Sequence, residues 1–131
     1  MKGVDTNILV RFLVGDDKVQ TEKVYAIFKK AETDRQKLFV PFIVVVELIW
    51  VLQSVYQIPR SDIVDSINAL LSMSILKVEH HLILQQWVVA AQTNKHDLAD
   101  LLIAFCAKGQ GCESVITFDK KATTLGLFEL A

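Results

Sequence analysis

A chain of 131 residues, 52% of them hydrophobic, is long enough to fold as one domain around a real core. No apolar run reaches the roughly 18 residues of a membrane helix, since Pro41 and Glu47 break the longest, 38–52, and Asp5 comes too early for a signal-peptide core. The formal net charge of −1 does not announce a nucleic-acid binder, and two cysteines, Cys106 and Cys112, make neither a disulfide framework nor a zinc site, which fits a reducing cytoplasm.

Residues 2–4 suit a short strand, and from Thr6 the apolar residues Ile8, Leu9, Phe12 and Leu13 recur at helical spacing. Asp5 therefore stands at a strand-to-helix turn. That is the carboxyl end of the first strand, the edge where open α/β sheets bind ligands. It is also a good N-cap for the helix that follows. Gly15-Asp16-Asp17 reads as a turn, and a second helix then places Val24, Ile27, Phe28 and Ala31 on one face. Residues 37–41 hold a second strand. Residues 42–56 are apolar almost all round and have the length of a buried helix, although their valines also suit a strand.

Pro59, Arg60 and Ser61 mark a helix start, and Ile63, Val64, Ile67, Leu70 and Leu71 form its apolar face. Residues 75–78 read as a strand. Helices follow over 82–91 and 98–108, separated by the polar stretch 93–97, and Gly109 and Gly111 end the second. Residues 114–118 are a clear strand leading into Asp119, and 127–130 add a last edge strand. Strands alternating with helices imply an α/β sandwich with a mostly parallel sheet, in one domain over 1–131.

Four carboxylates stand out against this frame. Glu47 interrupts IVVVELIWVL, where an ionised carboxylate is desolvated unless it is paired, binds a cation, or is turned outward by the helix. Asp100 repeats the anomaly in LADLLIAFCA, three residues after Asp97, which also suits an N-cap. Asp119 directly follows the strand SVITF, the same strand-end position as Asp5. Thr117, two residues earlier, points to the same side of that strand and is placed to orient a carboxylate or a water; Thr6 and Asn7 are placed to do likewise beside Asp5. Carboxylates converging at one sheet edge repel unless hard cations sit among them, and oxygen-only ligands select Mg²⁺ or Mn²⁺. Such a site suits phosphodiester hydrolysis. Setting five of the 15 acidic residues aside as a cation site leaves ten, against 14 Lys and Arg, a balance that tolerates a polyanion.

The stretches VDTNILVRFLVGDD, VPFIVVVELIWVL, HDLADLLIAFCAKGQGC and VITFDKKA resemble, nearly end to end, the PIN-domain nucleases, and more closely the VapC-type toxins of toxin–antitoxin modules. The resemblance implies a three-layer α/β/α sandwich with a mostly parallel central sheet. By motif match it implies catalytic and metal-binding roles for Asp5, Glu47, Asp100 and Asp119, with Asp97 as an additional metal ligand and Thr117 as the matching hydroxyl. It further implies Mg²⁺- or Mn²⁺-dependent endoribonuclease activity on structured RNA such as tRNA or rRNA, a homodimer, and a cognate antitoxin that blocks the cleft. One departure is visible: many relatives place Ser or Thr in the turn before the helix Glu, where this chain has Phe42-Ile43-Val44-Val45-Val46.

His80, His81 and His96 lack zinc-ligand spacing and are read as solvated or capping. Arg11 and Lys120, near motif acids, are read as surface charges or phosphate contacts. Trp50, Trp87, Phe28 and Phe105 are core or dimer contacts. A haloacid-dehalogenase-like phosphatase needs a second Asp where Asn7 stands. A receiver domain needs an acidic pair at the first strand end, which is also missing. The alternative from another class is a non-catalytic RNA- or protein-binding module on the same fold, against which the full acid set argues.

Overall fold

The computed structural model describes residues 1–131, which divide into two compact units, Met1–His81 and Leu82–Ala131. No helix is long and apolar enough to cross a membrane. In the first unit the strands β1 (Lys2–Gly3), β2 (Leu38–Val40) and β3 (Leu76–Val78) form one sheet in the order β1-β2-β3. Both pairings are parallel, with Lys2 opposite Leu38 and Val40 opposite Val78. All three strands therefore end at one edge, which carries Asp5, the start of the third helix, and Glu79.

The helices α1 (Thr6–Val14), α2 (Lys18–Thr33), α3 (Phe42–Ser54) and α4 (Arg60–Ser72) connect these strands. Their starts and stops follow from local chemistry. Asp5 caps α1, its Oδ1 accepting from the Ile8 N–H at 3.2 Å, and Gly15 ends it in the left-handed region, φ 67°. Asp17 caps α2 in the same way. Leu9, Val10, Val24, Val45, Leu48, Leu52, Ile63, Val64 and Ile67 are buried to within 2% and make the core.

Arg11 is not a lone surface charge but part of a side-chain network. Its guanidinium donates to Gln20 Oε1 at 2.7 Å, to Asp16 Oδ1 at 2.9 Å and to the Tyr56 hydroxyl at 3.2 Å, while that hydroxyl donates to Asp16 Oδ2 at 2.8 Å. The network ties the end of α1, the turn after it, α2 and the end of α3. The Tyr56 hydroxyl and the Arg11 charge hold the Asp16 carboxyl below its usual range, and the separate hydrogen bond from Arg11 to Tyr56 raises Arg11.

Helix α3 starts after Pro41, which has no side-chain acceptor to cap it. The acceptor comes instead from the end of β3, where Glu79 Oε1 takes the Phe42 N–H at 2.8 Å. His80, at φ 57°, sets its ring edge-on to Phe42 with 5.1 Å between centroids. A helix N-cap contributes about 0.5–2 kcal/mol. Glu79→Ala is thus expected to lower unfolding free energy in urea by about 1 kcal/mol, and Glu79→Gln, which keeps an acceptor, by less. Equal losses in the two variants would show that the cap is not what Glu79 contributes.

The second unit holds α5 (His81–Thr93), α6 (Leu98–Gly109), a 3₁₀ turn (Ala122–Leu125), and the parallel pair β4 (Val115–Thr117) and β5 (Phe128–Leu130). Ala104, Ala122 and Phe128 form a small buried cluster with Val115, Leu125 and Leu127 packed against it, so α6 lies against β4 and β5. Trp87 is fully buried, and its indole N–H donates to the Leu98 carbonyl at 2.9 Å, which fixes the first turn of α6 to α5.

Candidate active site

The site is built at the two ends of the α6–β4 segment. Asp97 is the N-cap of α6, its Oδ1 accepting from the Asp100 N–H at 3.0 Å. Asp100 stands in the first turn of the same helix, where the helix dipole favours a negative charge. After β4 the Thr117 hydroxyl accepts from the Asp119 N–H at 3.0 Å, and Asp119 Oδ1 accepts from the Lys121 N–H at 2.9 Å. Thr117 thus orients the backbone of Asp119 rather than its carboxylate. Asp97 and Asp119 are thus each fixed by a hydrogen bond of their own local turn.

Asp97, Asp100 and Asp119 line one cleft of about 690 Å³, together with Lys95, His96, Lys121, Ala122, Thr124 and Leu125. Burial pushes the Asp100 carboxyl above its usual range, and the charges of Asp97 and then Asp119 push it further, partly offset by His96. The charges of Asp97 and Asp119 therefore both act against an ionised Asp100. Their donor set, carboxylate oxygens alone, fits a hard divalent cation. Neither unit by itself gathers three or more His, Cys, Asp or Glu side chains in a metal-holding arrangement. The observation that fits a cation is the shared cleft of the three acids, in which the charges of Asp97 and Asp119 add to the burial that disfavours an ionised Asp100.

A raised pKa in the folded state means that the metal-free fold prefers protonated Asp100. Its stabilising effect is complete below the ordinary carboxylate range and is lost as pH rises through the raised value. Asp100→Asn is accordingly expected to raise the thermal midpoint of the metal-free protein near neutral pH by about 1–3 °C. The gain should shrink as pH is lowered towards about 4. Scanning calorimetry at several pH values reads this directly, and a loss of stability at every pH would contradict it.

The remaining motif acids belong to the first unit. Asp5 is exposed at the N-cap of α1, and Glu47 is exposed on α3, which packs against α1. Glu47 is neither desolvated nor in a buried ion pair. Its helix turns Val45, Leu48, Ile49 and Leu52 inward and leaves Ile43, Val46, Glu47 and Trp50 outside. Trp50, 60% exposed, is therefore not a core residue. Thr6 is buried and Asn7 exposed at the start of α1. Sequence reasoning singles out neither Lys95 nor Lys121, and Lys120, read as a surface charge or a phosphate contact, is exposed and does not line the cleft. The available signal was spacing, since one lies two residues before Asp97 and the other two residues after Asp119.

Residues 3–126 match the PIN domain family, and the chain belongs to it, with the α/β class of fold that its parallel strands and alternating helices define. It is also similar to a VapC ribonuclease from Aquifex aeolicus (strain VF5), at 28% identity over 126 residues, covering 96% of this chain and 93% of the relative.

Proposed function

We propose that this chain is a Mg²⁺- or Mn²⁺-dependent endoribonuclease acting on structured RNA of the tRNA or rRNA class, as the toxin of a toxin–antitoxin pair in the cytoplasm. The observation that carries the reading is the cleft lined by Asp97, Asp100 and Asp119, where burial and the charges of the other two acids disfavour an ionised Asp100. When bound, the cation supplies Lewis-acid polarisation of the phosphate and lowers the pKa of water. The protein's part is to hold its donors in place beforehand. Asp97 is held through its cap and Asp119 through its turn, so neither has to be ordered at the moment of reaction.

On the motif resemblance alone, the proposal extends to Asp5 and Glu47 as further catalytic ligands and to Thr6, Asn7 and Thr117 as their support. It also takes residues 1–131 as one working domain, active as a homodimer and silenced by a cognate antitoxin. In the reaction, a water oxygen bonds to phosphorus as the bond to the 3′-oxygen breaks. The displaced oxygen takes up a proton, leaving a 5′-phosphate and a 3′-hydroxyl. End-group analysis of the fragments tests this. Ends that ligate directly, 5′-phosphate to 3′-hydroxyl, support hydrolysis, whereas 2′,3′-cyclic phosphates, formed when the ribose 2′-hydroxyl attacks, overturn it.

A further inference from the structure

The three carboxylates leave the cations of the same cleft unexplained. Lys95 and Lys121 line it beside Asp97, Asp100 and Asp119, and both are exposed. Neither is ion-paired with any of the three acids; the ion pairs Arg11–Asp16 and Lys30–Asp34 lie in the other unit. Long, flexible ammonium side chains would close onto neighbouring carboxylates if neutralising them were their task. Here they stand apart from the acids instead. One sits on the segment entering α6 and the other on the turn leaving β4, so they flank the acids in sequence on both elements that build the site.

Charge balance supports the division of labour. Three carboxylates and two ammonium groups leave this lining one charge negative, and a single divalent cation turns it one charge positive. A polyanion is then attracted to the rim, where the lysines are, while the acids are engaged with the cation. Lysine is a point-charge partner for phosphate that fixes position along a strand without reading sequence.

We infer that Lys95 and Lys121 are substrate-positioning residues that hold the phosphates flanking the cleavage point of a single-stranded RNA segment. The inference rests on the nuclease reading for the identity of the reacting bond. It sets RNA affinity and its salt dependence and leaves the reacting phosphate to the acids.

The test measures binding of a fluorescein-labelled oligouridylate to the Asp100→Asn protein, which retains the cleft, across a range of KCl concentrations. Lys95→Gln and Lys121→Gln are each expected to weaken binding about 3–10-fold at low salt and to reduce the slope of log affinity against log salt by about 0.7, the double variant by about 1.4. Lys120→Gln, outside the cleft, should change neither. In the wild-type background the two substitutions should raise KM for RNA cleavage with kcat kept within about twofold. Slopes that stay unchanged, or a Lys120→Gln effect of the same size, overturn the inference. Cleavage by the wild type with indifferent lysine variants removes this inference alone. Lysine-dependent binding without cleavage by any protein sustains the phosphate contacts and removes the nuclease reading in favour of an RNA-binding module.

Discussion

Asp100→Asn should lower RNA cleavage by about 10²–10³-fold at saturating Mg²⁺, the range for losing one preorganised charged group at a reacting phosphate. The substitution is nearly isosteric, and Asp97 caps α6 through the backbone N–H of residue 100, which Asn keeps. The helix start therefore survives. What is lost is one carboxylate of three in the cleft, the one whose charge burial and both neighbours disfavour. The same change is expected to stabilise the metal-free fold, so activity and stability should move in opposite directions. Damage to the fold cannot produce that pattern. Single-turnover cleavage beside calorimetry on the same preparation checks it, and activity within about threefold of wild type would remove Asp100 from the chemistry.

Trp87→Ala should lower unfolding free energy by about 3–5 kcal/mol, the range for emptying a buried aromatic site. Trp87 is fully buried and heads the large side chains of the core, and it carries a second function in its N–H bond to the Leu98 carbonyl. Domains of this kind are stable by about 5–15 kcal/mol, so the variant should lie near the edge of folding. Trp87→Phe keeps most of the ring, loses the hydrogen bond, and should cost about 1–3 kcal/mol. It is the more informative variant for function. Leu98 follows Asp97 and lies two residues from Asp100, so loosening the first turn of α6 should reduce cleavage more than the stability change explains. Urea unfolding with an unchanged m-value measures the first effect. A loss below about 1 kcal/mol for Trp87→Ala would contradict the burial argument.

The elements were legible because their signals are local. Apolar spacing marked α1 and α4, Asp at the N-caps marked the starts of α1 and α6, and Gly15 marked the end of α1. The acids at Asp5 and Asp119 were legible as strand ends for the same reason. A capping role does not exclude a site role, since a cap occupies one carboxylate oxygen and leaves the other. What was not legible was orientation. Helix α3 is so uniformly apolar that composition cannot say which face turns out, and of the alternatives open for Glu47 the fold takes the outward turn, exposing it on the same helix as Ile43, Val46 and Trp50. Partnerships across the chain were equally hidden. Glu79 caps a helix 37 residues away, and Tyr56 meets Arg11 at a separation of 45. No periodicity encodes either contact, because adjacent parallel strands and crossing helices create them. Spacing could not separate Lys120 from Lys121 either, because the turn at Asp119 decides which of two neighbouring lysines faces the cleft.

The central claim is that this acidic cleft is a cation-dependent site for breaking RNA, and cleavage of total cellular RNA by the purified wild-type chain tests it most directly. The prediction is discrete fragments with Mg²⁺ or Mn²⁺, none in EDTA, and recovery when the cation is restored. Cleavage that continues in EDTA, or none with either cation by folded protein free of a co-purified inhibitor, would contradict it.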